Sequence, residues 1–125
     1  MLAIDGRVPD AGDVFWVDHG DGVGHEQGGR RPSLVLTERR VQSAFVSVRR
    51  LPYHAKKPAL GAFQVPISPV GKITGYALVD QLRVIDPVQR CSTFAGRVSD
   101  ETLTRVRRML VVLLGLGTIE VEAEG

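Results

Sequence analysis

Most of the chain breaks into short apolar runs bounded by Gly, Pro and Asp, and a helical period shows only near the C-terminus. Residues 13–18 (DVFWVD) are apolar, β-branched and aromatic between turn-forming residues, which predicts a buried or half-buried strand. Residues 33–37 (SLVLT) predict a second strand, with Pro32 tolerated at its start, and residues 44–51 a third, halted by Pro52. Shorter strands are predicted at 62–67, 76–79 and 82–85, with Gly71 and Gly75 bracketing a turn and Asp86-Pro87 closing the last piece. Residues 1–12 carry little periodicity and read as a lead-in without an element of their own.

The helix is predicted over the stretch that follows Ser99 and Asp100, either of which can cap it. Glu101 sits in the first turn, where a carboxylate favours the helix dipole, and Gly115 follows the last turn. Leu103, Val106, Leu110 and Leu114 fall on one face, Arg105 and Arg108 lie opposite, and Arg107 stands near the apolar margin. Five or so short strands with one long C-terminal helix make a small sheet-rich α+β domain, curled and barrel-like.

Composition narrows the function classes. At 125 residues the chain holds one core, and 43% hydrophobic with 24% charged residues is the make-up of a folded domain. The longest apolar run, residues 109–114, is far short of the roughly 20 needed to span a bilayer, and no signal segment opens the chain. A cytoplasmic protein without membrane contact is expected. A single cysteine, Cys91, rules out an internal disulfide, and His19, His25 and His54 lack the spacing of a helical metal pair. No metal or other cofactor is expected.

Three places carry more polar chemistry than a core needs. The stretch from His19 to Arg31 (HGDGVGHEQGGRR) is a glycine-rich loop in which His25, Glu26, Arg30 and Arg31 crowd together. Arginine offers a planar fork of donors to a phosphate, and His or Glu can move a proton, so the loop holds parts for phosphodiester transesterification. It is not a nucleotide-binding P-loop, because no Gly-Lys-Ser/Thr follows and a strand, not a helix, comes next. The second place is Arg49 and Arg50 with Tyr53, His54, Lys56 and Lys57, a basic stretch suited to a single-strand backbone or to blunting a strand edge. The third is Asp80 and Gln81 with Arg83 and Asp86, polar groups that interrupt a strand-like run.

A resemblance joins the three. The runs 12–18 (GDVFWVD) and 24–37 (GHEQGGRRPSLVLT) resemble the opening motif of MazF/PemK-type toxins of bacterial toxin–antitoxin modules. Residues 75–86 (GYALVDQLRVID) are similar to the family's second motif, and residues 98–115 to its C-terminal helix. The resemblance implies a small, mostly antiparallel, SH3-like barrel related to the gyrase poison CcdB. It also implies a homodimer that cuts single-stranded RNA at short motifs without a metal, leaving a 2′,3′-cyclic phosphate and a 5′-hydroxyl. The implied partner is an antitoxin with an acidic, initially disordered C-terminal segment. Matched residue by residue, Arg31 falls on the catalytic arginine before the proline, Glu26 on the acidic residue of the loop, and His25 on a histidine used by part of the family. Asp80 falls on an aspartate of the second motif; Gln27, Arg49, Arg50, His54, Gln81 and Arg83 are the further candidates for holding RNA.

The third strand departs from the family pattern. Where relatives carry Thr or Ser, an ungapped match puts Leu51, so Arg49, Arg50, His54 or, in a shifted match, Ser47 would have to supply the missing donor. Leu78 likewise stands where one branch has an arginine, which favours the Glu26 and Arg31 version of the site. The competing readings are a CcdB-like poison that binds gyrase without cutting anything, and an RNA-binding relative with an impaired centre.

The charge balance fits this picture only once the tail is set apart. The chain as a whole has 16 basic and 14 acidic residues, a net charge of +2. Residues 116–125 hold three of those 14 acidic residues (Glu120, Glu122, Glu124) and no Lys or Arg, so residues 1–115 carry +5. A basic domain over 1–115 with an acidic tail over 116–125 is the expected organisation.

Overall fold

A computed structural model describes residues 3–20, 29–39, 43–51 and 61–117. Seven strands appear in it: β1 (Asp13–Asp18), β2 (Arg30–Val35), β3 (Ser43–Arg50), β4 (Gln64–Pro66), β5 (Gly75–Leu78), β6 (Arg83–Ile85) and β7 (Cys91–Arg97). A 3-10 turn (Val79–Gln81) joins β5 to β6, a short helix α1 (Pro87–Arg90) precedes β7, and α2 (Asp100–Leu113) closes the described chain. All strand pairs are antiparallel, in the order β4-β5-β3-β2-β1-β7, with β6 also on β3.

Apolar side chains cover both faces of the central strands, which is why β1 and β3 read as nearly continuous apolar runs and not as clean alternation. On one face Val14, Leu34, Val46, Val48, Ala77 and Val79 pack under α2 through Leu103 and Val106. On the other, Phe15, Val17, Val35, Phe45 and Ile85 form a smaller cluster closed by Ile4, with Phe94 tilted against Phe15 at 5.4 Å between ring centres.

The helix begins as expected. The Ser99 hydroxyl accepts from the Thr102 N–H, and Glu101 and Arg105 pair one turn apart. Leu114 is an exception to the predicted apolar face: it is the C-cap and is exposed. Arg107 bends from the margin of the helix to donate twice to the Leu36 carbonyl, at 2.8 and 3.1 Å.

Two expectations are corrected. Residues 3–12 are not a mere lead-in: Ile4 is buried and bridges to Arg7, and Arg7 and Arg97 both pair with the fully buried Asp13 carboxylate, tying the N-terminal segment to β7. The strand β7 was not expected at all. Its residues CSTFAGR are small, polar and only partly buried, and bulges interrupt its pairing with β1.

Candidate functional site: an arginine-walled cleft

Two strands come apart at one end of the sheet. β2 pairs with β1 as far as Asp18↔Arg30, but its pairing with β3 ends at Ser33↔Ser47. The residue before Ser33 is Pro32, which has no N–H to offer a neighbour. Beyond this fork β3 stays hydrogen-bonded along its other edge, through Val48↔Ala77, Arg49↔Tyr76 and Arg50↔Gly75. Between the parted ends lies an open cleft of about 730 Å³ lined by Gly29, Arg30, Arg31, Pro32, Val48, Arg49 and Arg50. Four of these seven are arginines and no acidic side chain lines the cleft among the described residues, a lining that suits an anion with forked acceptors, such as a phosphate.

Alternation along the strands sorts the four arginines into two sets. Arg30 and Arg50 share a face with Trp16, and their guanidinium carbons lie 5.6 and 5.1 Å from the centre of its ring. Arg30 also donates to the Thr93 hydroxyl. Arg31 and Arg49 belong to the opposite face, each two residues beyond the fork formed by Ser33 and Ser47.

Beneath that fork sits a buried histidine. His19 Nε2 lies 2.8 Å from Ser33 Oγ and 3.4 Å from Ser47 Oγ, and Arg83 Nη1 is 3.3 Å from Nδ1 and donates to the His19 carbonyl at 3.1 Å. Because a guanidinium only donates, Nδ1 accepts and the single ring proton of neutral His19 is on Nε2, directed at Ser33. Burial pushes the imidazole pKa below its ordinary value, and the nearby charges of Arg83, Arg31 and Arg90 push it in the same direction against a smaller opposing effect of Asp18. The backbone of His19 closes the neck that leads to residues 21–28: its N–H bonds to the Gly29 carbonyl and the Gly29 N–H to that of Gly20. Gly20 and Gly29 both have positive φ, the conformation glycine adopts without strain.

The predicted site residues therefore separate. Arg31, Arg49 and Arg50 come together in the cleft wall, and Arg31 with Arg30 stands in strand β2, not in the loop expected to end at Arg31. Arg83 lies one layer down, against His19. Asp80 is exposed and Gln81 half-buried in the 3-10 turn, and neither lines the cleft. His25, Glu26, Gln27 and His54 lie outside the described residues. Ser47 is buried on His19, which removes it as a donor to a ligand in the cleft, and Leu51 donates its backbone N–H to the Thr74 carbonyl. Arg30, expected beside Arg31 as a phosphate-binding guanidinium, also lines the cleft, whereas the places of His19 and Trp16 were missed, because each depends on strand pairing that no single segment encodes.

Among the described residues no group of three or more His, Cys, Asp or Glu is arranged to hold a metal ion. Burial, with Asp86 adding to it, raises the Cys91 thiol to about 12, so it is not a thiolate at neutral pH. No helix among the described residues is long and apolar enough to cross a membrane.

Residues 10–114 match the family described as PemK-like, MazF-like toxin of type II toxin–antitoxin system. The chain belongs to that family. It is 32% identical over 108 residues to the endoribonuclease toxin MazF of Escherichia coli K12, covering 86% of this chain and 96% of that protein. The crystal structure of MazF from Deinococcus radiodurans superposes with a TM-score of 0.74 at 30% identity, over 87% of this chain and 98% of the other. A mycobacterial endoribonuclease in complex with its cognate antitoxin shares the fold at 19% identity, with a TM-score of 0.66 over 87% and 97% of the two chains. The seven-stranded antiparallel sheet with its C-terminal helix is thus the family's α+β architecture, as the sequence motifs implied. The arginine before the proline in the first motif, Arg31, stands in the cleft two residues beyond the fork.

Proposed function

We propose that the chain is the toxin of a type II toxin–antitoxin module and cuts single-stranded RNA at short motifs by attack of the 2′-hydroxyl on the adjacent phosphorus, without a metal ion. The observation that carries this reading is the position of Arg31 in a cleft with Arg30, Arg49 and Arg50, with no carboxylate among the described lining residues. The reaction forms a bond between the 2′-oxygen and phosphorus and breaks the bond to the 5′-oxygen, which takes up a proton from water and leaves as the 5′-hydroxyl, and negative charge grows on the phosphorane on the way. Arg31 stabilises that charge; it stays protonated in proteins and acts mainly as a fixed cation. Glu26 or His25, carried by the segment between Gly20 and Gly29, takes the 2′-hydroxyl proton, and Gln27 helps to hold the nucleotide. Arg49 and Arg50 supply the donor that a hydroxyl at Leu51 would have given.

The same basic cleft needs to be covered when the toxin is held silent. A cognate antitoxin with an acidic segment fits it, in keeping with the toxin–antitoxin complexes of the mycobacterial and Deinococcus radiodurans relatives. The working unit is a homodimer, each protomer built on one domain over residues 1–115. A gyrase-binding poison gives no reason for four arginines around one cleft.

The test is to incubate the purified protein with a long single-stranded RNA in EDTA and to identify both new ends. Cuts at defined sites with 2′,3′-cyclic phosphate and 5′-hydroxyl ends are expected. A well-folded protein that leaves the RNA intact, or 5′-phosphate ends, would refute the reading.

A further inference from the structure

The buried cluster below the cleft has a geometry that the cleavage chemistry alone does not call for. His19 follows β1, Ser33 is in β2, Ser47 is in β3 and Arg83 is in β6, so one imidazole joins its own segment to three strands. Ser33 and Ser47 are the last paired residues before the strands part, and His19 Nε2 stands within 2.8 and 3.4 Å of their hydroxyls. Ser33 Oγ in turn lies 3.4 Å from the Arg31 carbonyl, and the His19 N–H holds the Gly29 carbonyl at the mouth of the cleft. From the fork to the next residue on the same face is one step on each strand, to Arg31 on one side and to Arg49 on the other.

We infer that His19 is a positioning residue for the cleavage centre, clamping the fork of β2 and β3 and thereby fixing the spacing of Arg31 and Arg49 across the cleft. The inference rests on the proposed role of that cleft in RNA cleavage. A clamp here has a direct physical use. The fork carries an arginine onward on each strand, and a tie at its base sets how far apart those two side chains stand. An apolar residue at position 19 would leave both serine hydroxyls and the Arg83 guanidinium without their shared partner. The neutral ring meets them together, its one Nε2–H lying 2.8 Å from the Ser33 oxygen and 3.4 Å from that of Ser47, as measured from the nitrogen, and its Nδ1 accepting from Arg83. A protonated ring would lose the acceptor and add a further positive charge beside Arg83, Arg31 and Arg90, so the clamp works only when neutral, in keeping with the burial and the cations around it.

The experiment measures kcat and KM on a short single-stranded RNA for the wild type, His19→Leu, His19→Gln, Ser33→Ala and Arg31→Ala. His19→Leu is expected to lower kcat about tenfold or more while KM moves less than threefold. Ser33→Ala, a smaller change that keeps the core volume, is expected to lower kcat several-fold with an unchanged circular dichroism spectrum. His19→Gln places an amide N–H near the Nε2 position and is expected to recover part of what His19→Leu loses, which a purely space-filling role would not produce. Where His19→Leu does not fold, Ser33→Ala and His19→Gln decide the matter. Folded His19→Leu and Ser33→Ala proteins with wild-type kcat, beside an inactive Arg31→Ala, would overturn the clamp and leave the proposed reaction standing. A wild type that does not cut RNA overturns both.

Discussion

Arg50 stacks on Trp16, its guanidinium carbon 5.1 Å from the ring centre, while Arg30 reaches the same ring from the neighbouring strand at 5.6 Å. One aromatic side chain on β1 thus holds an arginine from each wall of the cleft. Each such contact is worth about 0.5–2 kcal/mol. Trp16→Leu should release both arginines and weaken the binding of single-stranded RNA by roughly three- to thirtyfold at low salt, the equivalent of about 0.6–2 kcal/mol. Trp16 is the single tryptophan, so its own fluorescence should change when RNA fills the cleft. Fluorescence anisotropy of labelled RNA checks the first point; unaltered affinity in a folded Trp16→Leu protein would contradict it.

A second outcome concerns pH. Burial and nearby arginines hold the native His19 pKa below its ordinary value of 6.5. Below that value the unfolded chain therefore binds a proton that the native state refuses, and stability falls as the pH drops. The full contribution is present above pH 6.5 and is lost toward the depressed native pKa, with a slope of up to about 1.4 kcal/mol per pH unit for one proton. Urea midpoints between pH 7.5 and 5.5 should drop more steeply for the wild type than for His19→Gln. Parallel curves would show that His19 is not the group responsible.

Asp13 offers a test of the fold's own supports. It is fully buried, pairs with both Arg7 and Arg97, and accepts the Asp10 N–H at 3.0 Å. Asp13→Asn should cost about 2–3 kcal/mol, less than a fully buried ion pair would, because the two arginines are partly exposed and regain water. Thermal melting would read this, and a melting temperature equal to wild type would contradict it.

Gly75 sets how closely β5 approaches the cleft wall. A Cβ there would lie 1.9 Å from the Arg49 carbonyl oxygen, so Gly75→Ala has to push β5 away from the strand that carries Arg49 and Arg50. A stability loss of about 1–3 kcal/mol with a matching fall in RNA cleavage is expected. Normal activity in the Gly75→Ala protein would mean that the wall does not depend on this contact.

The sequence made some of this legible and hid the rest for physical reasons. Strands β1 and β3 and helix α2 announce themselves, because long apolar runs and a capped 3.6-residue period are local signals. Arg31 is found through its motif, and Arg49 and Arg50 as a basic strand end. Strand β7 is hidden because an edge strand of small and polar residues needs little apolar pattern once β1 supplies the pairing. His19 looks like a lone histidine until the Ser33↔Ser47 register brings two hydroxyls under it. The opening of the cleft is similarly invisible beforehand: Pro32 reads as the start of a strand, whereas β2 begins at Arg30 and parts from β3 beside that proline.

The most direct measurement is the single-turnover rate of RNA cleavage in EDTA by the wild type and by Arg31→Ala, at a cut site mapped beforehand. A drop of about 10²–10³-fold, the range for losing one preorganised charge-stabilising donor, is expected with the melting temperature unchanged. An Arg31→Ala protein that cuts the same site at the wild-type rate would contradict the placement of the reaction in this cleft.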